Sequence, residues 1–181
     1  MCNPDLKPFQ TYLNTFSAGG SDPDLIWVDG QSEGLGCIGL APNIENYMNF
    51  SEARNFCTSK GYRFVEIYDQ NQQDFIKDLA TKHPPSSKYG GYWIGLKRIE
   101  ATYLGEKNTW KWLDCDVVAE FTSWRYDNGN YYGDAGIYVY LYKPRSYAWN
   151  TAKASTKANP LCQVFPSDQH PKPCSGKYKN F

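Results

Sequence analysis

One stretch of the chain concentrates the groups that could do chemistry: Tyr126-Asp127-Asn128-Gly129-Asn130-Tyr131-Tyr132-Gly133-Asp134. Carboxylate, amide and phenol oxygens follow one another there more densely than elsewhere in the sequence. Such groups form directional hydrogen bonds with a polar ligand. Tyrosine adds rigid amphipathic area, which suits a protein surface and equally the face of a sugar ring. The same run also fits a hairpin turn at Asn128-Gly129 with solvated neighbours. The residue types of catalysis are scarce. The two histidines are His83, beside Pro84, and His170. Neither H-E-x-x-H nor G-x-S-x-G occurs. Glu66, Asp114 and Asp116 could pair as carboxylates, but Asp114 sits on a strand pattern where a turn or structural hydrogen bond fits better. The chain reads as no enzyme. Gly34-Leu35-Gly36-Cys37-Ile38-Gly39 matches G-x-G-x-x-G by letter. A dinucleotide site needs a helix to open there, and Pro42, Asn43 and Asn46 follow instead. The run is a glycine-rich loop leading into a strand over residues 37–40.

The elements that must position the polar stretch are legible around it. Tyr92-Trp93-Ile94-Gly95-Leu96-Lys97 is a short apolar run of the length of a buried strand, with Gly95 marking a close backbone approach or a bend. Trp110, Trp112 and Asp114 alternate with Lys111 and Leu113, so the tryptophans share one face of a second strand. Trp93, Trp110, Trp112 and Trp149 are all expected in the core. A helix is expected over 51–59, capped by Ser51, with Ala53, Phe56 and Cys57 inward and Gly61 as its stop. Residues 63–68 alternate as a strand. Asp69 caps a second helix over 71–82, with Phe75, Ile76, Leu79 and Ala80 on one face, and Pro84-Pro85 ends it. Residues 137–142 form the strongest strand pattern, and 147–150 and 161–165 add two more.

Residues 1–26 read as an N-terminal extension, with Phe9, Tyr12, Leu13 and Phe16 at helical spacing. Residues 166–181 form a Pro- and Lys-rich tail. Lysine plus arginine and aspartate plus glutamate are both 19, which gives no support to a nucleic-acid or anionic-membrane partner. No apolar run is long enough to span a membrane. The start, Met1-Cys2-Asn3-Pro4-Asp5, has no signal-peptide pattern, so the sequence is intracellular or a trimmed mature form. The six cysteines at 2, 37, 57, 115, 162 and 174 are dispersed, without C-x-x-C spacing. An even, scattered set fits disulfides made in an oxidising compartment. Asn49-Phe50-Ser51 is an N-glycosylation acceptor pattern, which makes Asn49 a candidate.

In this order the pieces resemble the C-type lectin-like domain. The ordered set is Cys37 before a strand, Cys57 on a helix, a second helix, then Trp93-Ile94-Gly95-Leu96. Trp110-x-Trp112-x-Asp114, Phe121-Thr122-Ser123-Trp124 before a long polar loop, Trp149-Asn150 and a closing Cys162 follow. The resemblance covers residues 27–165. It implies an α+β fold, with two helices flanking antiparallel sheets and a long loop carrying the ligand surface. It also implies a Cys57–Cys162 bridge, which would stabilise by about 4–5 kcal/mol through loop closure. The family's second bridge lacks both positions, with Gly136 where one cysteine would stand. Pairing among Cys2, Cys37 and Cys174 suits chain ends brought together, and Cys115 lies nearer the long loop.

Sugar-binding members of that family hold one calcium ion through two tripeptides and an acidic residue. Carried onto this sequence, the ligands would be Asn128 and Asn130, Asp134, and Asn150 and Thr151. Amides and a hydroxyl stand where carboxylates are expected, and Gly129 replaces the ring that would fix the loop. Calcium affinity follows carboxylate number and rigidity, so such a site would be weak, about millimolar or worse. No cofactor is certain, and calcium is at most a weak one. The ligand surface is expected at Tyr126, Asp127, Asn128, Asn130, Tyr131, Tyr132, Asp134 and Asn150. The function expected is a secreted or extracellular module that binds a glycan with weak or absent calcium dependence. The alternative is a lectin-like module that recognises a protein.

Overall fold

The computed structural model describes residues 24–43, 47–88, 90–100, 108–124 and 136–165. Tyr126, Asp127, Asn128, Asn130, Tyr131, Tyr132 and Asp134 lie outside the described residues, as do Cys2, Cys174, the tail and the helically spaced Phe9, Tyr12, Leu13 and Phe16. In chain order the elements are β1 (Ile26–Gly30), β2 (Gly36–Leu40), α1 (Phe50–Thr58), β3 (Arg63–Phe64), α2 (Gln70–Lys82), β4 (Gly91–Glu100), β5 (Thr109–Trp112), β6 (Val117–Val118), β7 (Tyr138–Tyr142), β8 (Ala148–Ala152) and β9 (Asn159–Val164). The strands follow the path β1-β2-β9-β4-β5-β6, with β3 on β9, β7 on β4, and β8 on β7. One pairing departs from the antiparallel expectation. β4 and β9 run parallel, Tyr92 opposite Asn159 and Trp93 opposite Pro160, which makes the sheet mixed.

α1 begins earlier than the sequence pattern suggested. Asn49, not Ser51, is its N-cap. Asn49 Oδ1 accepts the Glu52 N–H at 2.9 Å, and Glu52 Oε2 accepts the Asn49 N–H at 2.7 Å. This reciprocal box needs an acceptor three residues after the cap. Glu52 meets that need for Asn49, whereas Arg54 stands three residues after Ser51. The earlier start brings Phe50 into the core beside Ala53 and Cys57, and leaves Phe56 only half-buried. α2 is capped by Asp69 as expected.

Residues 63–68 also differ from expectation. Only Arg63 and Phe64 pair as a strand. Phe64, Val65, Glu66 and Ile67 are all buried, so no face is left for the alternation to expose. Val65 donates to the Leu161 carbonyl at 3.1 Å, and Gly95 donates to the Val65 carbonyl at 2.9 Å. The segment thus crosses close over β4 at the glycine, the approach that Gly95 suggested.

The two faces of the central strands bury separate cores, because alternate residues point opposite ways. Phe50, Ala53, Cys57, Trp93, Tyr140 and Cys162 pack on the α1 side. Ile76, Leu79, Ile94, Leu96, Trp112 and Trp149 pack on the α2 side. The four tryptophans expected in the core are there, at 0% (Trp93), 4% (Trp110), 1% (Trp112) and 0% (Trp149) exposure. Cys57 and Cys162 are bridged, with Cα atoms 5.6 Å apart, tying α1 to β9. Cys37 and Cys115 each take part in a further disulfide, not with one another. Gly136 takes φ +23°, and a Cβ there would lie 1.9 Å from the Ala152 carbonyl carbon. No side chain fits at that position, which gives the missing cysteine a steric reason.

Candidate functional site

The part of the site that is described is built on β8. Trp149 is its anchor. The indole N–H donates to Gln73 Oε1 at 2.6 Å, inside the core. The ring meets Trp112, Phe121 and Trp124 edge to face, at centroid distances of 5.7, 5.8 and 5.4 Å. That arrangement suits the ring quadrupoles. The Trp149 N–H donates to the Ser123 carbonyl at 3.1 Å, and Trp124 bridges to Trp149 in parallel. Residue 124 is the last one described before the polar stretch, and Gly136 the first after it. The chain therefore leaves β8 beside Trp149 and returns to it beside Ala152. Both ends of the segment that carries Asp127, Asn128, Asn130 and Asp134 are fixed to one strand.

Asn150 and Thr151 follow on that strand. Asn150 pairs with Tyr140 and Thr151 with Val139, so their side chains leave β8 on opposite faces. Asn150 Nδ2 donates to Tyr140 Oη at 3.3 Å and to the Thr151 carbonyl at 3.3 Å. Burial raises the Tyr140 phenol above its ordinary pKa, and the hydrogen bond from Asn150 opposes that rise. Tyr140 is thus a neutral partner that holds the amide in place. Neither Asn150 nor Thr151 carries a carboxylate. Among the described residues no group of three or more His, Cys, Asp or Glu stands close enough to hold a metal ion. Tyr147, one of the tyrosines near the polar stretch, is core: it is 4% exposed and burial pushes its phenol up to about 12.

Two buried polar residues support this end of the sheet. Gln73 receives the Trp149 indole and donates to the Tyr147 carbonyl at 3.4 Å. A polar residue one helical turn before Ile76, on the apolar face of α2, was the available signal in the sequence. Glu66 is the second. Its Oε1 accepts the backbone N–H groups of Asp114 (2.9 Å) and Cys115 (3.2 Å), and Oε2 accepts the Tyr68 hydroxyl. Burial raises the Glu66 carboxyl, while the Tyr68 hydrogen bond and the Arg63 charge pull it down. Asp114 accepts the Phe64 N–H at 3.2 Å and faces Arg54 at 3.3 Å and Arg63 at 3.8 Å. These carboxylates brace the turn after β5, the structural role the sequence suggested for Asp114.

Fold and site together define a lectin-type recognition domain. The Lectin C-type domain family matches residues 46–164, more than half of the 181 residues, and the chain belongs to that family. Its members are non-enzymatic recognition modules. Human layilin is 25% identical over 135 residues, covering 68% of this chain and 34% of layilin. Bos taurus E-selectin is 25% identical over 130 residues, covering 70% of this chain and 24% of the selectin. The chain therefore spans about a third or less of the length of these relatives. The C-type lectin domain of murine dendritic cell inhibitory receptor 2, solved in complex with an N-glycan, aligns with a TM-score of 0.58 at 22% identity. That alignment covers 81% of this chain and 99% of the receptor domain, and at this identity it speaks for the fold alone. No helix among the described residues is long and apolar enough to cross a membrane.

Proposed function

We propose that the chain is an extracellular, secreted domain that binds a glycan through the face made by residues 126–134 and Asn150. The observation that carries this reading is the fixing of both ends of that stretch to β8. A polar, tyrosine-rich segment held at both ends by a rigid strand loses less conformational entropy on binding than a free one. Trp149 sets the position of Asn150 through the core, so one ligand-facing amide is preorganised by Tyr140.

Calcium is at most a weak participant in this reading. Asn128, Asn130, Asp134 and Asn150 would hold it, whereas the Thr151 side chain leaves β8 on the face opposite Asn150 and drops out of the expected set. A bound ion would offer coordination to sugar hydroxyls. On the Asn150 face β8 offers an amide oxygen and no carboxylate. Few carboxylates mean low affinity for a hard dication.

A protein ligand is the second reading. It is favoured by Ile99 (46% exposed) and Ile137 (38%), apolar side chains on neighbouring strand ends next to the same stretch. A glycan array probed in calcium and again in EDTA separates the readings. Glycan binding retained in EDTA is the expected result. Binding that vanishes in EDTA refutes the weak-calcium reading, and no binding in either buffer favours a protein ligand.

A further inference from the structure

An open groove runs along α1, lined by Tyr47, Met48 and Phe56, with the Glu52–Lys157 ion pair at 2.7 Å on its rim. None of its lining residues belongs to β8, and the ligand reading makes no use of it. Asn49 stands directly after the two groove residues Tyr47 and Met48, and its cap partner Glu52 lines the groove as well. In the Asn49-Phe50-Ser51 acceptor pattern, the sugar is attached to the asparagine nitrogen. Here the two atoms of the Asn49 amide are divided between two tasks. Oδ1 is held by the Glu52 N–H, whereas Nδ2 makes no hydrogen bond among the described residues. Ser51 is exposed. A sugar on Nδ2 would leave the helix cap intact.

We propose that Asn49 carries an N-linked glycan and that its first N-acetylglucosamine packs over Tyr47 in the α1 groove. The aromatic ring two residues before the acceptor gives the apolar face of the sugar a surface to cover, as amphipathic rings do for other ligands. The occupant is covalent, so the groove is closed to other partners. The inference rests on the extracellular reading for its compartment alone, and its test does not depend on what the β8 face binds.

The test uses the full chain, sent through the secretory pathway of mammalian cells behind a cleavable leader, with glycan processing held at the high-mannose stage. Intact mass and peptide mapping read occupancy at Asn49. The expected result is a high-mannose glycan there, lost in Ser51→Ala, a change that keeps the Asn49 cap. An unmodified Asn49 in secreted, folded protein overturns the proposal. The groove contact is read by melting after two treatments. Endoglycosidase H leaves one N-acetylglucosamine on the asparagine. PNGase F removes the whole glycan and converts the asparagine to an aspartate, itself a good N-cap favoured by the helix dipole. The cap survives both, so a lower Tm after PNGase F, by about 2 °C, reports the lost sugar contact. In Tyr47→Ala the two products should melt together. Equal melting in the unsubstituted chain overturns the groove contact.

Discussion

The Trp149–Gln73 hydrogen bond ties α2 to β8, and a double-mutant cycle tests it. Both residues are buried, Trp149 at 0% and Gln73 at 2% exposure, so neither can turn to water when its partner is removed. Gln73→Leu leaves the indole N–H unpaired in the core, which costs about 1–3 kcal/mol. The lost Gln73 donor to Tyr147 is a longer contact at 3.4 Å and adds less. Trp149→Phe strands the Gln73 amide and also removes ring volume packed against Trp112, Phe121 and Trp124, for about 2–4 kcal/mol. Replacing both partners removes the unpaired polar groups together. The double variant should therefore be more stable than the sum of the single costs predicts, by about 1–2 kcal/mol. In a domain of this size each kcal/mol moves Tm by about 2–4 °C. Urea denaturation with disulfides intact, fitted for unchanged m-values, is the assay. Additive costs would refute the hydrogen bond as the tie between α2 and β8.

Three further outcomes follow from the same structure. Replacing Cys57 and Cys162 by serine opens a loop of 105 residues and should cost about 4–5 kcal/mol, and non-reducing peptide mapping of the parent should recover the two as one cross-linked peptide. Glu66 has a folded pKa raised above 4.5 by burial, so the native state holds its proton more tightly than the unfolded chain. Its contribution is greatest below pH 4.5 and declines as pH rises from there through the folded value. Glu66→Gln should flatten stability against pH over that window, and an unchanged slope would count against the assignment. Melts in EDTA and in about 1–3 mM calcium should nearly coincide, because only about a hundredfold excess over Kd would add about 2.7 kcal/mol. A large calcium-dependent rise in Tm would show that the reading of Asn128, Asn130 and Thr151 as a degraded calcium site was wrong.

The elements with strong periodicity were legible in the sequence, and those set by tertiary contact were not. Trp110 and Trp112 alternate with lysine, so β5 and its buried face could be read directly. The Cys57–Cys162 bridge came from resemblance, since spacing alone leaves connectivity open. The α1 cap was misplaced by two residues because Ser51 is a good cap in isolation, while the reciprocal Asn49–Glu52 pair decides the matter in the fold. Residues 65–67 lost their alternation because a strand-like segment enclosed on both faces has no solvent side. Gln73 was not singled out in the sequence, and its partner lies 76 positions away, where no local pattern could point to it. Of the expected ligand residues, Asn150 could be followed into its hydrogen bonds, and the rest lie outside the described residues.

The most direct test of the ligand face is the glycan array repeated in EDTA with wild-type protein and with Asn150→Ala, the two matched for Tm. Asn150 Nδ2 spans to Tyr140 on the face opposite the Trp149 anchor, so its loss should disturb recognition more than folding. The expected result is wild-type binding in EDTA that falls at least about tenfold in Asn150→Ala, equivalent to about 1.4 kcal/mol. Undiminished binding by Asn150→Ala would contradict the assignment of β8 to the ligand face.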